Sequence, residues 1–337
     1  MKRIGKLMLV VLIIFLVAGT VMARGAGTAA GQAVELRWYQ PEPIGHPWTD
    51  VSFLIAEEIE RRSGGSLRVT IHHSGVLGSQ AEAVDMLRTG SLALLTAGPS
   101  ILASFYEAVQ VPGLPYIFES PQHGYAFFNS AYTQRVYNDI ILNRSGVRTL
   151  AFWYFGNRNL TTRGLRVNTP ADLSGVRIRG MDTPIGITTI TALGGNVVPI
   201  AFTELYLALQ TGVVVGQENP IPTILAQRFD EVQDNIVLTG HSVHMGTVHV
   251  SEQIWRTLTN EQQRIITDVL EHYRPEIERR INESTEAGLQ TLRGRGVAVY
   301  EPDLAAFRAH AASVVDQNFG HLPEWREGIE AARAARP

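Results

Sequence analysis

The residues Phe155-Gly156-Asn157-Arg158-Asn159-Leu160-Thr161-Thr162 open the stretch on which the reading of this chain turns. It continues through Gly175-Val176-Arg177-Ile178-Arg179-Gly180 and Tyr206-Leu207-Ala208-Leu209-Gln210-Thr211-Gly212, and closes on Gly216-Gln217-Glu218-Asn219-Pro220. Arg158, Arg163, Arg166, Arg177 and Arg179 form a basic local set in a chain of net charge −3. Alternation along Val176–Arg179 puts residues 177 and 179 on one face of a strand. An arginine in an apolar strand is costly unless its five donors find acceptors. The acceptor is either a ligand carboxylate, met by the guanidinium fork with two parallel charged hydrogen bonds, or an internal acid such as Glu204 or Glu218. Asn219, just past an apolar run, can donate its amide to the same ligand group. The residues alone leave the two readings even.

Outward from this stretch the chain reads as α/β. Glu35–Tyr39 alternates as a strand, Asp50–Arg62 has helical spacing, and Leu67–Ile71 alternates again, which makes a right-handed parallel crossover. Ligands of open α/β sheets gather beyond the carboxyl ends of such strands. That rule selects the loop Gln40–Trp48, with Gln40, Glu42, His46 and Trp48, and His72-His73-Ser74-Gly75. Leu150–Phe155 reads as a further strand, Phe127–Leu142 as a helix with aromatic packing, and Met181–Leu193 as a Thr-rich helix. Met86-Leu87-Arg88-Thr89-Gly90 and Ala208-Leu209-Gln210-Thr211-Gly212 echo one another: each is a helix end capped by glycine that hands the chain to an apolar run. The echo favours two similar α/β lobes. Thr259-x-x-Gln262 is a capping box opening a long amphipathic helix, with a kink expected at Pro275. Leu304–Phe319 reads as a packing helix and the Arg/Ala-rich tail as a solvated one.

Composition narrows the function classes. A chain of 337 residues is long enough for two domains. Its charges are scattered, which gives nucleic-acid binding no support. The absence of cysteine excludes disulfides, thiolate catalysis, cysteine-ligated metals and lipoprotein acylation. Lys2, Arg3 and Lys6, the apolar run Leu7–Val17 and Val21-Met22-Ala23 describe a secretory signal peptide cleaved after Ala23, with an uncleaved anchor as the alternative. Residues 24–33 form a small-residue linker. The loop Ser74-Gly75-Val76-Leu77-Gly78-Ser79-Gln80 lacks P-loop spacing. His72 and His73 fall on opposite strand faces, and His241, His244 and His249 match a metal helix only loosely. No metal and no cofactor are expected. No nucleophile elbow, paired-carboxylate motif or zinc signature supports an enzyme.

The ordered set Gly156-x-Arg158, Pro170-x-Asp172-Leu173-x-Gly175-x-Arg177-Ile178-Arg179, Glu204 through Gly212 and Gly216-Gln217-Glu218-Asn219-Pro220 resembles the DctP-type substrate-binding proteins of tripartite ATP-independent periplasmic (TRAP) transporters. The likeness runs from about Glu35 to near the C-terminus. It implies a two-lobed periplasmic-binding-protein fold (type II-like, a Venus flytrap) with a long helix spanning both lobes. The expected lobes are 34–156 with 246–283, and 157–245 with 284–337. The resemblance also implies an exported monomer that closes over a small organic acid and presents it to the membrane subunits of a TRAP permease. By that likeness Arg179 pairs with the ligand carboxylate, Arg158 helps hold it, Asn219 hydrogen-bonds it, and an aromatic near Phe202 packs on it. The chain departs from the pattern with Gly180-Met181 where Val-Pro often follows the arginine, and with Gln80 where many sugar-acid binders carry glutamate. Gln40, His46, Trp48, Gln80 and Asp182 are candidates to meet hydroxyls, which puts a sugar acid such as a uronate or aldonate ahead of a C4-dicarboxylate. An exported enzyme and a chemosensory ligand-binding subunit are the alternatives.

Overall fold

The computed structural model describes residues 33–336; the expected signal peptide, its cleavage site and residues 24–32 lie outside the described residues. The first crossover forms as the alternation predicts. β1 (Val34–Tyr39) is followed by the helix Pro47–Arg62, and β2 (Leu67–His72) returns parallel to β1, in register from Val34↔Leu67 to Tyr39↔His72. The helix starts earlier than its apolar spacing suggested because His46 caps it, its Nδ1 accepting from the Trp48 amide at 3.2 Å. Pro47 then sits in the first turn, where a missing N–H is harmless. β3 (Leu94–Ala97) joins the other side of β1, also parallel.

Two long antiparallel strands carry the sheet onward. β4 (Val147–Thr162) and β8 (Asn235–Ser251) pair along most of their length. With β5 (Arg177–Gly180), β6 (Asn196–Pro199), β7 (Gly216–Pro220) and β9 (Ala298–Tyr300), the order is β2-β1-β3-β8-β4-β7-β5-β6, and β9 lies on β8. The strand expected to end at Phe155 instead runs on through Gly156. The β4–β8 register shifts between Tyr154 and Gly156, where φ is 115° and an added Cβ would lie 2.9 Å from the Pro220 Cβ. Only glycine fits that backbone and that space. Gly156, where the apolar run Leu150–Phe155 stops, therefore marks a bulge inside a strand.

Buried apolar side chains divide into one large cluster and smaller ones. The large cluster holds Leu36, Trp38, Ile55 and Leu95, the start of β4, and Ile266 to Ile281. The others gather Leu205, Leu209, Ile224 and Phe229, and Leu160, Ile178, Leu193 and Phe307. The helix Asn260–Gly294 opens on the predicted capping box and continues through Pro275. It gives Ile277 and Ile281 to the large cluster and Leu292 to a smaller one, so one helix braces both cores. The glycine echo is structural as well. Gly90 and Gly212 both adopt the left-handed conformation, φ 73° and 72°, after the helices Gln80–Arg88 and Leu205–Gln210.

Two expectations need correction. The helix placed over 127–142 is interrupted: Pro121–Phe128 stops, Ser130 caps a new start by accepting from Thr133, and Arg135–Ile141 is a π-helix. The aromatic packing is there all the same, with Phe128 stacked on Phe152 at 4.0 Å. The tail is not a solvated helix. Pro323–Ala334 buries Trp325, Ile329 and Ala332 in the large cluster, and Trp325 stacks on Phe319 at 3.8 Å. Those positions form one helical stripe, masked in the sequence by surrounding Arg and Ala. The end of the chain thus packs on Glu107–Gly113 and the helix Pro121–Phe128. Among the described residues no helix is long and apolar enough to cross a membrane.

Candidate functional site

A cavity of about 180 Å³ opens where the carboxyl ends of β1, β3, β5, β6 and β7 meet the middles of β4 and β8. Of the expected site residues, Arg158, Arg179, Asn219, Phe202, Gln80 and Asp182 line it. The parallel strands supply the loop residues, as open α/β sheets do.

The two arginines have different partners. Arg158 sits on β4 opposite Pro220 of β7 and is almost fully buried. Its Nε donates to Glu218 Oε2, and its Nη2 donates to Glu218 Oε1 at 2.9 Å, the Glu218 carbonyl at 2.7 Å and Asn219 Oδ1 at 3.0 Å. His241 Nε2 meets Glu218 Oε2 at 3.1 Å, and its Nδ1 meets Thr239 at 2.8 Å. Burial alone would raise the Glu218 carboxyl, but the Arg158 charge and the hydrogen bonds from His241 and Arg158 outweigh it and hold the group far below its usual range. For Arg158 the internal acid named from the sequence is the partner. Asn219 is part of the same lattice, its Nδ2 donating to Gln217 Oε1 at 2.5 Å.

Arg179 lies near the end of β5 at 2 % exposure, while Arg177, on the same strand face two residues earlier, is exposed. The Arg179 Nε donates to the Ile200 carbonyl at 2.9 Å, and no carboxylate among the described residues pairs with its fork. Burial lowers its pKa to about 10, with Arg158 lowering and Glu218 and Asp182 raising it, so it stays charged at neutral pH. A buried guanidinium with free donors facing a cavity is a receptor for an anion, best a planar bidentate one.

The β1 loop is deeper than its polarity suggested. Gln40, His46 and Trp48 are fully buried and do not line the cavity. Gln40 Nε2 donates to Ser52 Oγ. His46 stacks on Phe155 at 5.2 Å with its Nε2 3.3 Å from Thr223 Oγ1, and burial lowers its pKa to about 3. Trp48 donates its indole N–H to the Tyr154 carbonyl at 3.1 Å and packs against Gly246. These three hold the loop rather than face the cleft, because the helix cap at His46 turns the chain inward before Trp48. The loop residues that do reach the cavity are Pro41 and Glu42, the glutamate at 3 % exposure. It accepts from Thr223 Oγ1 and Gln227 Nε2, both at 3.1 Å. Burial raises its pKa to about 7, those hydrogen bonds and Arg158 offsetting only part of the rise. Sequence reasoning also passed over Phe155 and His244, both lining residues. The only signal for His244 was strand alternation, which does not say that this face meets a cavity. His249 is spent on Thr149 and Thr247, and among the described residues no cluster of His, Asp and Glu could hold a metal.

A mixed α/β sheet with two sets of cores braced by one helix, and a cation-lined cleft between strand ends, defines a two-lobed periplasmic-type solute-binding protein. The chain belongs to the DctP family, bacterial extracellular solute-binding proteins of family 7, whose model matches residues 42–321. It is 27 % identical over 288 residues to the sialic acid-binding periplasmic protein SiaP of Vibrio cholerae, covering 86 % of this chain and 89 % of that protein. Among solved structures it resembles a TRAP periplasmic solute-binding protein of Roseobacter denitrificans with bound 3-deoxy-D-manno-oct-2-ulosonic acid, at 29 % identity and TM-score 0.83, covering 90 % of this chain and 100 % of that one. A Sulfitobacter homologue with bound β-D-galacturonate matches at 26 % identity and TM-score 0.84, covering 89 % and 100 %. These relatives are binding proteins of TRAP transporters and not enzymes.

Proposed function

We propose that this chain is an exported receptor that binds a small sugar acid, a uronate or aldonate before a C4-dicarboxylate, and delivers it to the membrane subunits of a TRAP permease. The observation that carries the reading is the Arg179 guanidinium, buried beside the cavity and unpaired with any carboxylate among the described residues. The acids named in the related structures, 3-deoxy-D-manno-oct-2-ulosonic acid and galacturonate, each join a carboxylate to several hydroxyls. In this reading Arg179 takes the carboxylate, while Asn219 and Arg158 Nη1 give further donors and Phe202 packs on the carbon chain. Gln80 and Asp182 meet hydroxyls from the rim. The lobes are 34–156 with 246–283 and 157–245 with 284–319, and the last helix, Pro323–Ala334, goes with the first. Closing them over the acid excludes water and strengthens the charged pair. The ligand drives closure only by binding the closed form better than the open one, and the permease favours opening. The receptor works in the periplasm as a monomer.

A thermal-shift screen of organic acids followed by calorimetry tests the reading. Hydroxylated acids should raise the melting temperature and be recovered unchanged. Turnover of the acid, or no response to any carboxylate, would sink it.

A further inference from the structure

The charges around the cavity are unequal in availability. Arg158, Arg179, Glu42 and Asp182 line it. Arg158 is already taken by Glu218, so Arg179 is the lining cation without a carboxylate partner among the described residues. A ligand with one carboxylate uses that guanidinium up. A second carboxylate on the same molecule would find acidic lining instead, and of the two acids Glu42 matters more. Asp182 is exposed and screened by water, whereas Glu42 is buried where like charges repel hardest. Each Glu42 oxygen receives one donor from the chain, from Thr223 or Gln227. A carboxylate oxygen can accept more than one hydrogen bond, so Glu42 has capacity left for ligand hydroxyls. His244 adds to this wall. Its ring stands edge-on to Phe155 at 5.5 Å and makes no hydrogen bond to the described residues. Burial, helped by the Arg158 charge, lowers its pKa to about 3, so it can give and take a hydrogen bond without offering a second carboxylate a positive charge.

We propose that Glu42 is a specificity-determining residue that admits acids with one carboxylate and a hydroxyl-bearing chain and turns away diacids of the same length, with His244 as a further hydroxyl partner. The inference rests on the reading of the cleft as a sugar-acid site and adds what that site rejects.

The test compares galactonate with galactarate, which differ only in a terminal CH2OH against a carboxylate, by calorimetry at pH 8, where Glu42 is mostly ionised. The wild-type protein should prefer galactonate by about 100-fold or more, as expected when discrimination uses repulsion. Glu42→Gln should narrow that ratio by about tenfold, while His244→Phe weakens both acids by similar factors and leaves the ratio alone. Wild-type affinities for the two acids within about threefold would overturn the proposal without any variant. So would an unchanged ratio in a Glu42→Gln protein that melts cooperatively. Galactonate binding without preference removes only this proposal; binding of no hydroxy acid at all removes the sugar-acid reading and this proposal with it.

Discussion

Two buried glutamates, Glu42 lining the cleft and Glu218 paired with the lining Arg158, have opposite proton chemistry. Glu218, on the strand side, is locked by Arg158 and His241 and holds its negative charge. Glu42, on the loop side, has only the neutral donors Thr223 and Gln227, and its pKa rises to about 7. Both are desolvated alike; the difference is a cation in contact. The strand side is thus a finished ion cluster, rigid before any ligand arrives, while the loop side is left under-compensated. Arg179 belongs with the loop side in this respect, since its charge too lacks a partner within the chain. The cleft is built with one charge pair closed and another left open for a ligand to complete.

The largest effect is expected from breaking the finished side. Glu218→Ala leaves the Arg158 guanidinium buried and unpaired and should cost about 3–5 kcal/mol of stability, read from urea unfolding. If Glu218→Ala unfolds like the wild type, the strand side is not the rigid part. On the open side the pattern reverses. Arg179→Ala should leave the melting temperature near wild type yet cost about 2–5 kcal/mol of ligand binding by calorimetry, and Arg179→Lys should also bind poorly because the fork is lost. Near-normal affinity in both variants would take Arg179 out of the site.

Proton linkage sharpens the contrast. The folded Glu42 pKa of about 7 lies above the ordinary 4.5. Its contribution is therefore fully favourable below about 4.5 and is lost as pH rises through about 7, a change of about 3 kcal/mol. Glu218 works the other way: its folded pKa is depressed, so its contribution is present above the ordinary carboxylate range and is lost as the pH falls through its lowered value. Unfolding curves of Glu42→Gln minus wild type should slope between about pH 4.5 and 7, and a flat difference would show that Glu42 does not titrate there. The smallest effect is expected at the bulge between the two sides. Gly156→Ala must hold φ near 115° and push against Pro220, and should cost about 1–3 kcal/mol in thermal unfolding.

Much of the fold was legible because it is written in local periods. Leu36 and Trp38 alternate, Thr259 and Gln262 make a capping box, and Gly90 and Gly212 end helices for a backbone reason that any reader of sequence can see. The site was half legible. Arg158, Arg179 and Asn219 line the cavity and were singled out because an arginine in an apolar strand poses a question of its own, whereas Phe202, also a lining residue, was named only through the family resemblance. Gln40, His46 and Trp48 were expected to face the ligand because they share a polar loop, but the packing of Trp48 on Gly246 and of His46 on Phe155 turns them inward.

What the sequence determined by itself was the elements, the family-like order of motifs and the presence of an arginine that needs an acid. Which arginine already had one was decided only in three dimensions. Glu218 lies 60 residues from Arg158, and the β4–β7 pairing that brings them together is a long-range contact. The same folding that satisfied Arg158 left Arg179 unsatisfied. Charge is read from residue types, but its compensation depends on distance and burial, and those belong to the folded chain.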